Sequence, residues 1–134
     1  MKLRAIVALA ATLAFAFISP AHAELNRTDR TFVIVTTGSI IVASICPGYD
    51  IPDGSVRKQA DMNGADFDGL TPAIGAAMSA QLNQKYDRAE LIPDVTQVVR
   101  ATFLEMNDDF DRSKSRACKK WGDILIPAGV LVRK

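Results

Sequence analysis

Histidine is almost missing from this chain: the single one is His22, close to the amino terminus. Cysteine is nearly as scarce, with only Cys46 and Cys118. Without a histidine beyond position 22, Ser-His-Asp and Cys-His nucleophile arrangements are excluded from the body of the chain. Zinc sites rest on cysteine and histidine, so two cysteines alone make one improbable. The usual titration switch near neutral pH is missing for the same reason. The glycines are scattered, and neither G-x-G-x-x-G nor G-x-x-x-x-G-K occurs, so no phosphate-binding loop is indicated. A basic excess is also lacking. The 16 basic and 15 acidic residues give a net charge of +1, which argues against a nucleic-acid partner.

What the chain does have begins at its amino terminus. Lys2 and Arg4 precede 14 uncharged residues, Ala5 to Ile18, which Pro20 ends. Ala21-His22-Ala23 has the small-x-small pattern of a signal-peptidase site. The apolar stretch falls short of the roughly 20 residues of a spanning helix. Residues 1–23 are therefore expected to be a cleavable signal peptide, cut between Ala23 and Glu24, of a compact bacterial kind. Contact with the membrane is expected only through the uncleaved signal. The destination is the periplasm or the medium, and residues 24–134 form one domain of about 110 residues, large enough for its own core. Removing Lys2 and Arg4 leaves 14 basic and 15 acidic side chains, a net charge of −1.

In an oxidising compartment an even pair of cysteines reads as a disulfide. Cys46–Cys118 would close a loop of about 70 residues, for which the chain-entropy relation gives about 4 kcal/mol as an upper value. Redox pairs usually take the C-x-x-C spacing, and these two do not. The bridge is expected to be structural.

Thr31 to Ile45 carries no charge and is rich in β-branched residues. A helix ended by Cys46-Pro47-Gly48, a hairpin turning at Thr37-Gly38-Ser39, and a second membrane segment all compete for it. Threonines, serines and a glycine dilute the membrane reading. A lone hairpin is poorly stable without further strands, and the rest of the chain reads as helix. A helix from about Asp29 to Cys46 is the expectation.

Further along, Ser55 is expected to cap a short helix, Val56 to Met62, stopped by Asn63-Gly64. Thr71 and Pro72 are expected to open a helix running to about Tyr86, with Ile74, Ala77, Met78 and Leu82 on one face. After Pro93, with Asp94 as cap, Val95, Val99, Phe103, Met106, Phe110, Ala117 and Trp121 recur at spacings of three, four or seven. That pattern predicts one helix to Trp121, or two with a break at Asn107, ended by Gly122. The apolar tail Ile124 to Val132 is expected to lie extended against the bundle. The fold class is thus all-α, an irregular bundle of four or five helices with an extended apolar C-terminal tail and one disulfide.

The remaining candidates for chemistry have simpler structural readings. Ser113-Lys114-Ser115 offers a Ser-Lys pair, but on a solvated helix face nothing would lower the lysine pKa. Asp61 to Asp68 is the best calcium candidate. Ala65 falls where an oxygen ligand is needed, Asp66 where the EF-hand needs glycine, and Pro72 where it needs glutamate. Asn107 to Asp111 clusters carboxylates that would point to different helix faces. Asn26-Arg27-Thr28 matches the N-glycosylation pattern without consequence in a bacterial chain. The aromatic and methionine stripe reads as core. No catalytic residue, cofactor-binding residue or metal ligand is therefore expected, and no cofactor.

By size, destination and single disulfide the chain is similar in outline to the small acid-stress chaperones of the periplasm. No motif carries that likeness. The expectation for function is a small exported, non-enzymatic protein that binds another periplasmic protein, as a stress chaperone, inhibitor or envelope accessory factor does. The alternative is a carrier of a small apolar ligand held between helices.

Overall fold

The computed structural model describes residues 24–134; the expected signal peptide and its Ala23 cleavage position lie outside them. Five helices dominate the described chain: α1 (Arg27–Ile45), α2 (Ser55–Asn63), α3 (Phe67–Gln81), α4 (Pro93–Arg112) and α5 (Lys114–Leu125). Short 3-10 turns at Arg88–Glu90 and Ile126–Ala128 follow α3 and α5. Two-residue strands β1 (Tyr49–Asp50) and β2 (Val132–Arg133) pair antiparallel, Tyr49 opposite Arg133. The all-α class and the single disulfide read from the sequence hold.

α1 is the centre of the bundle and packs on α2, α3, α4 and α5. Asn26 caps it, its Oδ1 accepting from the Asp29 N–H at 2.8 Å. Phe32, Val33, Val35, Ile41 and Val42 are buried on several sides of the helix. A helix apolar nearly all round is stable only when surrounded, and that surrounding overrides the β-propensity of its Val, Ile and Thr residues. Its length and composition would also suit a membrane span, but half of the qualifying stretch is buried against the other helices. Thr36, Thr37 and Ser39 are buried with it, and their hydroxyls have no partner.

The other helices depart from the expected boundaries for local reasons. α3 starts at Phe67, four residues before Thr71. Asp66 takes the cap, and its carboxylate accepts from the Gly69 N–H at 3.1 Å. Pro72 then lies inside the helix on its exposed side, where the one missing N–H weakens it without burying an orphan. α3 ends at Gln81 rather than Tyr86, and Asn83 takes a left-handed conformation, φ 54°. In α4, Pro93 is the first residue and Asp94 is not the cap; its carboxylate instead accepts from the Leu25 N–H at 3.3 Å. The break between α4 and α5 falls at Ser113, not Asn107. Ser113 ends α4 in extended conformation and caps α5, its Oγ accepting from the Arg116 N–H.

Gly122 does not stop the last helix. It lies beneath the Tyr49 ring, in a space that a Cβ would fill, and α5 continues to Leu125. The first part of the apolar tail is therefore helix and 3-10 turn. Only from Val130 does it run extended, with Val130 and Leu131 fully buried. The Lys134 N–H donates to the Gly48 carbonyl at 2.8 Å and closes the strand pair.

Cys46 is the C-cap of α1 and Cys118 lies within α5. They are bridged, with Cα atoms 5.7 Å apart. The core fills the space between α1, α3, α4 and α5 with Phe32, Ile74, Val95, Val99, Met106 and Leu131, all essentially inaccessible.

Candidate functional site

α2 is the most polar of the longer elements, and its sequence, SVRKQADMN, gives only a weak inward face. Val56, Gln59 and Ala60 share that face by their three- and four-residue spacing. Ala60 is fully buried and Gln59 is 7% exposed. Gly54 sets the helix going from a left-handed conformation, φ 78°, and Ser55 is its first residue rather than its cap. The Ser55 hydroxyl instead donates to the Val130 carbonyl at 3.1 Å, which ties α2 to the C-terminal turn. At the other end of α2, the Asp66 N–H donates to Asp29 Oδ1 at 3.2 Å and ties the α2–α3 turn to α1.

These two ties hold open a cleft between α1, α2 and the Ile126–Gly129 turn. Its larger lobe has a volume of about 500 Å³ and is walled by Thr31, Val35, Lys58, Gln59, Met62 and the turn residues Pro127 to Gly129. A second lobe of about 250 Å³ shares Thr31, Gln59 and Asn63 and reaches Arg27 and Thr28 in the first turn of α1. Met62 stands on the lip with 75% of its surface exposed.

Gln59 is the unusual member. Its Oε1 is buried and accepts no hydrogen bond. An amide left without a partner costs about 1–3 kcal/mol. The neighbouring polar side chains satisfy each other locally: Asn63 Nδ2 donates to the Gln59 carbonyl at 2.8 Å, and Thr31 Oγ1 donates to the Arg27 carbonyl at 2.9 Å. Of the described residues lining the two lobes, Arg27 and Lys58 are cationic and none is acidic. Neither cation joins an ion pair with the described residues, whereas Arg57 pairs with Asp68 at 3.4 Å and covers the Phe67 ring.

Sequence reasoning missed Gln59 and the cleft. The available signal was a glutamine between Val56 and Ala60 on the inward face of a polar helix. The candidates it weighed are placed as follows. Asp66 caps α3, and Asp68 faces Arg57. Among the described residues no cluster of three or more metal-ligating side chains forms. Asp108 pairs with Arg112 at 3.1 Å. Asp109 accepts from Lys120 Nζ at 2.7 Å and Trp121 Nε1 at 2.9 Å. The hydrogen bond from Lys120 holds the Asp109 carboxyl below the usual aspartate range, against the opposing effect of desolvation. Ser113 is spent on capping, and Lys114 and Ser115 are exposed beside Cys118. Phe103, Met106 and Trp121 are core residues, and Phe110 is half-buried against them.

Compared with known proteins, the chain matches no family model, no curated protein and no solved structure.

Proposed function

We propose that the chain is exported and acts outside the cytoplasm, without catalysis, by binding another protein through the α1–α2 cleft. The basic start, apolar stretch and Ala21-His22-Ala23 pattern support export, and the Cys46–Cys118 bridge fits an oxidising compartment. The observation that carries the binding role is Gln59: a buried side chain with an unpartnered amide oxygen that lines the same open lobe as the exposed Met62. A carboxamide offers a donor and an acceptor side by side, as a peptide unit does. Met62 adds a flexible apolar contact of the kind that adapts to varied partners. A carrier of an apolar molecule would instead bury most of its ligand in an enclosed pocket, and this cleft is open, with Thr31, Lys58, Gln59 and Asn63 among its walls.

The test is capture from periplasmic extract on immobilised mature protein, beside a Met62→Glu variant, with proteins and lipids identified together. A protein retained by the natural chain and lost from the variant is the expected result. Retention of lipid alone would favour the carrier, and capture indifferent to Met62 would remove the cleft from the account.

A further inference from the structure

We infer that the α1–α2 cleft recognises an extended acidic peptide segment, with a carboxylate drawn to Arg27 and Lys58 and a backbone amide paired to Gln59. This rests on the protein-binding reading and adds the chemistry of the partner.

Three features of the cleft converge on that occupant. The first is charge. Arg27 and Lys58 line the lobes, neither has a carboxylate partner among the described residues, and no acidic side chain lines the cleft. The second is the Gln59 amide, which lines both lobes and whose oxygen, buried without a donor, gains one from a backbone N–H when the amide turns toward the cleft. The third is the composition of the walls. Val35, Met62 and Pro127 border the same lobe as Lys58 and Gln59, so an apolar side chain has a place beside the carboxylate. A free anion would use the first feature only, and an apolar small molecule the third only. An acidic peptide with apolar neighbours uses all three. The mature chain as a whole is slightly acidic, so the attraction is local to this cleft.

The experiment uses the mature chain and labelled, end-capped hexapeptide pools that carry two glutamates among apolar positions. Matched pools carry glutamine or lysine in their place, and binding is read by fluorescence polarisation. The glutamate pool is expected to bind about tenfold more tightly than the glutamine pool, the size of one charge-assisted hydrogen bond, and to lose that margin as salt is raised. Lys58→Glu, an exposed change, should erase the margin and turn the preference toward lysine. Gln59→Leu should weaken the glutamate and glutamine pools alike, with its melting curve confirming that it folds. Equal binding of the three pools, or a glutamate preference that survives Lys58→Glu combined with Arg27→Glu, would overturn the inference. If the pools bind equally while capture of a protein still depends on Met62, only the acidic-peptide inference falls. If capture does not depend on Met62, the cleft itself is the wrong site and both fall.

Discussion

Trp121 on α5 donates its indole N–H to Asp109 on α4 at 2.9 Å, and the same carboxylate oxygen accepts Lys120 Nζ at 2.7 Å. One oxygen thus joins the two helices across the break at Ser113. The ring of Trp121 is buried in the core while its N–H reaches the half-buried carboxylate, so packing and hydrogen bonding fix the same angle between α4 and α5. This relationship contributes to the acid behaviour of the fold. The Lys120 hydrogen bond holds the Asp109 pKa below its ordinary value, and a hydrogen bond from Lys119 does the same for Asp123. A carboxylate with a depressed folded pKa stabilises above its unfolded pKa, and that contribution disappears as pH falls through the folded value. Urea midpoints should therefore stay level from pH 7 to about 5 and fall below about pH 4. Asp109→Asn should start lower and fall less steeply on acidification. An identical acid slope in both proteins would show that the contact does not stabilise the fold.

Two helical glycines should respond to alanine in opposite directions. Gly75 is exposed in α3 with open space where a Cβ would go. Gly75→Ala should stabilise by about 0.5–1 kcal/mol, the helix-propensity difference. Gly122 is also helical, but its missing Cβ is the space occupied by the Tyr49 ring. Gly122→Ala should destabilise by about 1–3 kcal/mol, as overpacking does. Tyr49→Ala in the same chain should make the added methyl nearly neutral. Thermal denaturation of the four proteins in a double-mutant cycle checks this, and additive effects would contradict the contact.

The Cys46–Cys118 bridge should act as a clamp on stability. It joins the end of α1 to α5 across a sequence separation of 72 residues. Replacing both cysteines with serine should lower stability by about 2–4 kcal/mol and leave binding intact below the melting transition. Unchanged stability with lost binding would instead point to a redox role for the pair.

Met106 is fully buried on the inner face of α4, with its sulfur and the Leu125 side chain filling the space beside Gly38. Met106→Ala should cost about 2–5 kcal/mol by leaving a cavity. Leu104, two residues earlier and exposed, should tolerate alanine with a change within about 0.5 kcal/mol. Denaturant titration of the pair separates the core face of α4 from its solvent face.

What could be read from the sequence was the part governed by long periodic signals. The three- and four-residue recurrence from Val95 to Trp121 marked α4 and α5, and the buried length of α1 followed from its lack of charge. The destination of the two sulfur atoms followed from their number. Competition between neighbouring signals was not legible. Asp66 and Thr71 are both good caps, and the earlier one wins because Gly69 leaves room for the Asp66 carboxylate beside its N–H. Gly122 reads as a stop in isolation, yet tertiary contact with Tyr49, 73 positions earlier, gives it a place inside the helix. The strand pair Tyr49–Asp50 with Val132–Arg133 is too short to leave a pattern. Gln59 was hidden for a different reason. A glutamine in a polar helix ordinarily faces water, and only the meeting of α1, α2 and the C-terminal turn buries it.

Hydrogen–deuterium exchange of residues 24–134, alone and with any protein captured on them, tests the proposed binding role of the cleft most directly. The account predicts slower exchange in residues 27–35, in α2 and in the turn at 126–129, with no change on the outer face of α4 around Leu104. Slowing centred on Leu104, with α2 exchanging as in the free protein, would contradict it.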